Sequence, residues 1–185
     1  WLFNMRGDDI PCFPVVLCYA LIREDAAFLY KNAERLSDDL KKTFADIHVT
    51  VKGYEDIYTD VKELPADAAV LLDKANTNYK LVSSLPQGVR VINQPNPAVL
   101  MKAMKNPVEL ENTRRCHIRD GVAVTKFMYW LKTNIGKTKI TEISAAEKLL
   151  ELRKEQDHFI EPSFQTIAAY KDHAAMMHYS ATPET

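Results

Sequence analysis

The sequence predicts an α/β domain, with helices packed on a mixed sheet, followed by a second segment that opens with long helices. Three observations carry this. Short apolar runs alternate with helical spacing through residues 1–105, the pattern of strands and helices taken in turn. The composition shifts at the polar, proline-bearing connector Asn93-Gln-Pro-Asn-Pro97. A long helical pattern then starts at Asn106-Pro107.

The elements follow in order. Trp1-Leu2-Phe3 reads as part of an apolar strand. Residues 15–22 and 26–30 are β-branched or aromatic-rich around the polar turn Arg23-Glu24-Asp25, and predict a hairpin. Leu36, Leu40 and Phe44 fall at successive i+4 steps and predict a helix over 32–44. Residues 47–51 alternate apolar and polar as a strand does, and Gly53 ends it. A second helix over 54–64 stops at Pro65. The continuous apolar run 68–72 predicts a buried strand. A short helix over 77–85 is broken by Pro86, and 90–92 is a further strand. After the connector, 98–104 is a short helix. Pro107 fits the first turn of the next, where its missing N–H costs nothing, with Asn106 as N-cap. That helix runs to about Thr133 and places Cys116, Ala123, Phe127 and Trp130 on one stripe, flanked by Ile118 and Val122; Gly136 closes it. Thr141 caps another helix, with Glu142 and Glu147 near its positive end and Ile143, Ala146 and Leu150 on its inner face. Beyond Pro162, residues 164–170 and 174–179 read as two strands around the polar turn Lys171-Asp172-His173.

Composition narrows the function. Of 185 residues, 46% are hydrophobic and 26% charged, which is globular rather than disordered. Five glycines stand where average usage of about 7% gives roughly 13, so a glycine-rich phosphate loop is not expected. Residues 1–105 carry 13 basic and 14 acidic side chains, and 106–185 carry 11 of each. No basic stripe is available for nucleic acid or an anionic membrane surface. The longest apolar run, residues 14–22, is far short of the roughly 20 residues a bilayer needs. Three cysteines without paired spacing (Cys12, Cys18, Cys116) favour a reducing compartment over a disulfide framework, and the expectation is a soluble, cytoplasmic protein. The apolar start at Trp1, and an end after an apolar run without a helix or cap, suggest a piece of something longer.

No catalytic constellation is complete on the residues alone. The short zinc signatures are missing. His173 and His178 lie five apart, and an odd spacing on a strand sends them to opposite faces, which argues against a shared metal. His178 follows Ala174-Ala-Met-Met177, so it reads first as a core histidine satisfied by a backbone carbonyl, with a functional contact as the alternative. Cys116 and His117 are helix neighbours about 100° apart and cannot form a nucleophile–base contact. Arg114, Arg115, Arg119 and Asp120 read as a charged face with ion pairs along the helix. Ser163 lacks the elbow that exposes a nucleophile. Arg6-Gly7-Asp8 reads first as a strand-ending turn, with a binding loop as the alternative.

Several segments taken together resemble a known family. Trp1-Leu-Phe-Asn-Met-Arg-Gly-Asp8 with Cys18-Tyr-Ala20 resembles the middle domain of the three-domain Xaa-Pro aminopeptidases of the creatinase/prolidase-like group. Lys105-Asn-Pro-Val-Glu-Leu110 and Arg114-Arg-Cys-His-Ile-Arg-Asp-Gly-Val-Ala-Val124 resemble the opening helix of that family's peptidase domain. Thr141-Glu-Ile-Ser-Ala-Ala146, Ser163-Phe-Gln-Thr-Ile167 and His178-Tyr-Ser-Ala-Thr-Pro-Glu-Thr185 continue it in order. The resemblance implies a creatinase N-terminal-like α/β domain over 1–105 and the first part of an α+β pita-bread metallopeptidase domain over 106–185.

The activity it implies is release of the N-terminal residue from peptides whose second residue is proline. Two divalent metals, usually manganese, are held in the family by two Asp, one His and two Glu, and a bridging hydroxide attacks the scissile carbonyl. Those five ligands are expected beyond Thr185, so no metal is expected on this chain and the chain alone is expected to be inactive. Carried over by residue, His178 lands on a substrate-binding position near the scissile bond, and Arg6 is a weaker candidate that faces the cleft. Asn4 is a candidate for the same cleft-facing role. The family often has glycine and asparagine at Lys171-Asp-His173, so that turn departs from the pattern. The expected partner is a peptide with proline at the second position, and the family's habit allows a homodimer. The alternative is a non-catalytic peptidase-like module that keeps the fold and binds proteins.

Overall fold

The computed structural model describes residues 1–184, so Thr185, the last residue of the His178-Tyr179 segment, lies outside the described residues. The chain divides into two compact units, residues 1–9 with 15–104 and residues 10–14 with 105–185.

In the first unit, strands β1 (Tyr19–Ile22) and β2 (Ala27–Tyr30) form the expected antiparallel hairpin, and β3 (Val49–Lys52) joins β2 in parallel. Ser37 caps helix α1 (Asp38–Asp46), its hydroxyl accepting the Leu40 N–H at 3.3 Å, so the helix starts later than its apolar spacing predicts; a 3-10 turn, Ala33–Arg35, precedes it. Period-2 alternation sends Leu29 and Tyr30 of β2 to opposite faces. On the Leu29 side, Met5, Leu36, Phe44 of α1 and Val49 close one core. On the Tyr30 side, Ile57 of α2 (Ile57–Asp60) and Val61 close another, with Leu81 of α3 (Tyr79–Ser83) packed against it. A second, two-stranded parallel sheet is formed by β4 (Ala69–Leu72) and β5 (Arg90–Asn93). The unit therefore holds a three-stranded mixed sheet and a separate parallel pair. β4 buries only alternate residues, with Leu71 45% exposed, so its apolar run belongs to a strand covered on one face. Helix α4 (Pro97–Ala103) follows the connector.

Trp1-Leu2-Phe3 is not a strand. The Asn4 N–H turns back onto the Trp1 carbonyl; Trp1 and Leu2 are exposed, while Phe3 meets the Phe44 ring edge-on at 6.1 Å and the following Met5 is buried.

The second unit is built on α5 (Pro107–Asn134) and α6 (Glu142–Lys154). Reciprocal bonds between Asn106 and Glu109, each 2.9 Å, start α5 as a capping box, and Thr141 with Ser144 starts α6 in the same way. Gly136, at φ +79°, accepts the left-handed turn after α5 that other residues resist. The helices are clamped by Asp120 with Arg153 (2.6 and 3.2 Å) and Lys126 with Glu155 (3.0 Å), around the buried Ala123 and Leu152. Asp120 thus pairs with the neighbouring helix, not its own face, while Arg115 bonds Glu111 at 2.8 Å along α5.

The predicted stripe on α5 is only half used. Ala123 is fully buried, but Cys116, Ile118 and Val122 are exposed. Two causes combine. Cys116 shares the Ala123 side but lies two turns toward the N-terminus, and with α5 about 42 Å long against about 20 Å for α6 its partner covers only part of it. Val122 and Ile118, by contrast, point about 100° and 140° around the helix from Ala123.

Candidate functional site

The site is built around the first residue of α6. Thr141 fixes where that helix begins, which places the Glu142 side chain at its positive end. The Glu142 side chain is only 11% exposed, and its carboxylate gathers three donors from a segment about thirty residues further on. The Tyr170 N–H reaches it at 2.5 Å, His173 Nδ1 lies 3.0 and 3.1 Å from its two oxygens, and the Tyr179 hydroxyl donates to Oε2 at 2.5 Å. Because an ionised carboxylate only accepts, His173 must carry its proton on Nδ1. The same Nδ1–H sits 2.9 Å from the Tyr179 oxygen, and the two rings stack at 4.7 Å. The Tyr179 bond, with burial opposing it and Tyr170 and His173 adding to it, holds the Glu142 carboxyl below its ordinary value. The cluster is thus a fixed negative charge whose acceptor sites are filled from its own chain.

This corrects the expectation for the segment. Residues 164–170 are irregular, and Lys171–Ala175 is a 3-10 helix followed by a turn at Met177 and His178. An extended segment becomes a strand only when a neighbour completes its hydrogen-bond ladder, and among the described residues none pairs with this one. The alternating-face argument about His173 and His178 therefore loses its strand. His178 is not a core histidine either. It is exposed, on a left-handed backbone with φ +54°, while its neighbour Tyr179 is 8% exposed and carries the burial that the apolar run suggested. A non-glycine residue in that region costs about 1–2 kcal/mol, which its surroundings must hold in place.

Arg6 belongs to the first unit. It is exposed and donates from its guanidinium to the Met5 carbonyl at 2.9 Å, and the neighbouring Asn4 has φ +50°. Arg6-Gly7-Asp8 is irregular and not the turn its sequence predicts. Next along the chain, Asp9 accepts the Lys31 ammonium at 2.5 Å and the Leu17 N–H at 2.8 Å, which hold its carboxyl below the ordinary range and tie this stretch to the sheet.

Among the described residues, no group of three or more His, Cys, Asp or Glu side chains is placed to hold a metal ion. Glu142 and His173 are two potential ligands, but they bond one another through His173 Nδ1, which leaves the Nε2 lone pair as the one open donor of the pair, and no third ligand stands with them among the described residues. The residues present do not fit a resident metal. Of the signals that sequence reasoning missed, Glu142 was visible only as a favourable helix-start charge, and His173 as part of a polar turn and as one half of a metal pair with His178 that the spacing argued against.

Comparison with known proteins gives the family context. Residues 1–109 match the creatinase/prolidase N-terminal domain, and residues 111–185 match metallopeptidase family M24. Aminopeptidase P1 of Arabidopsis thaliana is 32% identical over 231 residues, covering 100% of this chain and 36% of that protein. A probable Xaa-Pro aminopeptidase P of Paracoccidioides brasiliensis (strain Pb03) is 38% identical over 195 residues, covering 98% of this chain and 32% of that protein. Among solved structures, an X-prolyl aminopeptidase from Caenorhabditis elegans, described as a cytosolic enzyme with a di-nuclear active site, superposes with a TM-score of 0.90 at 30% identity. That match covers 100% of this chain and 31% of the other. The chain spans about a third of the length of these relatives. No helix among the described residues is long and apolar enough to cross a membrane.

Proposed function

We propose a function from one premise: the chain belongs to the creatinase/prolidase family, with its residues 111–185 in metallopeptidase family M24. In this reading it supplies an α/β domain over 1–105 and the opening of the peptidase domain over 106–185 to a metal-dependent Xaa-Pro aminopeptidase. The reaction is removal of the first residue from a peptide with proline second. Such a bond needs a dedicated enzyme, because the proline nitrogen carries no N–H and its ring limits approach.

The observation that carries the reading is the extent of the likeness: the whole chain superposes on an X-prolyl aminopeptidase at a TM-score of 0.90 and 30% identity. Within it, His178 contacts the substrate near the scissile bond, as an exposed imidazole on a held turn can; Arg6, exposed in the first unit, is a second candidate for substrate binding. The two divalent ions, manganese in this proposal, are held by residues other than those described here, and supply polarisation of the scissile carbonyl when bound. The protein works in the cytoplasm, and a homodimer is consistent with the family's habit.

Peptide cleavage tests this directly. The full-length protein that carries this chain, loaded with Mn2+, should release the first residue of Xaa-Pro peptides, while the 185-residue chain should neither cleave them nor bind manganese stoichiometrically. A loaded full-length protein that cleaves none would sink the peptidase reading and favour the protein-binding module. Cleavage by the 185-residue chain would show that its own residues form the metal site.

A further inference from the structure

We propose that Glu142 is the positioning residue for His178: one carboxylate ties both ends of the 173–179 segment and so fixes the backbone that presents the histidine. This rests on the reading of His178 as a substrate contact.

The argument starts from rigidity. Glu142 is the first residue of a thirteen-residue helix whose start is locked by the Thr141–Ser144 capping box. It takes Tyr170 and His173 at the beginning of the returning segment, and Tyr179 at its end. The Met176 N–H bonds the His173 carbonyl at 3.0 Å, which tightens the stretch between. Tyr179 is fixed twice, by its hydroxyl and by its ring on His173. Its peptide link to His178 therefore has little freedom, and His178 is held in a left-handed conformation it would otherwise leave. A binding side chain whose backbone is already ordered loses less freedom when substrate arrives.

The test uses the Mn2+-loaded full-length protein and a Xaa-Pro peptide. Tyr179→Phe keeps the ring and removes the donor; Glu142→Gln keeps one acceptor oxygen and removes the charge. Each is expected to lower kcat/KM about ten- to a hundredfold, but less than about twofold when His178 is already alanine, since effects through one residue do not add. His173→Asn, whose amide can donate in place of Nδ1–H, should retain activity that His173→Leu loses. Amide hydrogen exchange over residues 176–179 should quicken about tenfold in Tyr179→Phe, with the α5 and α6 amides unchanged. Equal kinetic losses with and without His178, or unchanged exchange, would overturn the clamp. If the unsubstituted protein cleaves no Xaa-Pro peptide, the proposed function falls, and the exchange measurement alone decides whether the clamp exists.

Discussion

Tyr179 donates its hydroxyl to the Glu142 carboxylate at 2.5 Å, joining two residues 37 apart in the chain. The bond links a helix start, which is legible in sequence, to an irregular segment, which is not. It also makes the segment's order depend on a charge, so its stability depends on pH.

The folded Glu142 carboxyl titrates below its ordinary 4.5, chiefly because of Tyr179. Asp60 and Asp9 likewise lie below their ordinary 3.8. A depressed carboxyl contributes stability that is complete above the unfolded value and is lost as pH falls through the folded one. Urea midpoints should therefore drop below about pH 4.5, and Glu142→Gln should drop less between pH 7 and pH 3 than the parent. Equal drops in the two proteins would mean that Glu142 makes no such contribution.

Tyr30 is fully buried and donates to Asp60 at 2.6 Å, the same oxygen that Lys52 reaches at 2.6 Å. Burial, and then Asp60, push the phenol well above its ordinary value, so it remains a donor. Burial by itself pushes Asp60 up, but the bonds from Lys52 and Tyr30 outweigh it. Tyr30→Phe should lower the unfolding free energy by about 2 kcal/mol, the scale of a hydrogen bond to a charged group. Chemical denaturation reads this, and a loss below about 0.5 kcal/mol would show Lys52 alone to be enough.

Phe44 is 1% exposed in the core on the Leu29 side of the sheet, whereas Tyr79 is 85% exposed. Phe44→Ala should cost about 3–5 kcal/mol through lost burial and the cavity left behind. Tyr79→Ala should stay within about 0.5 kcal/mol. Similar losses at both positions would contradict the division of the first unit into core and surface.

What the sequence made legible were features that act over short range. Asn106 and Thr141 cap helices a few residues away, and the β-branched and aromatic runs around the polar turn Arg23-Glu24-Asp25 require only a hairpin. The apolar run 174–179 misled because a continuous apolar stretch does not distinguish a paired strand from a turn that buries one ring. Tyr179 buries that ring, while Met177 is 90% exposed. The Glu142 cluster was hidden for a related reason: three donors meet one carboxylate across 28 to 37 residues, and no periodicity reports such a meeting. The exposed Cys116 shows the same limit on α5, where the apolar pattern gives the side of a face but not the length of its partner.

His178 makes the sharpest prediction, because its backbone and its proposed role pull in opposite directions. At φ +54° a histidine bears about 1–2 kcal/mol that glycine would not, whereas glycine loses roughly 0.5–1 kcal/mol more on folding through its freer unfolded chain. The first exceeds the second, so His178→Gly should stabilise the protein by about 0.5–1 kcal/mol. If the imidazole contacts substrate, the same change should lower kcat/KM of the loaded full-length protein about a hundredfold, the scale of one lost transition-state hydrogen bond. His48 supplies the control. It is also exposed, with φ +58°, just past the end of α1. His48→Gly should bring the same gain in stability with kcat/KM unchanged. Matching kinetic losses at His48 and His178 would assign both to general loosening of the chain. A gain at both with no kinetic loss at either would leave His178 as a strained turn residue with no part in substrate binding.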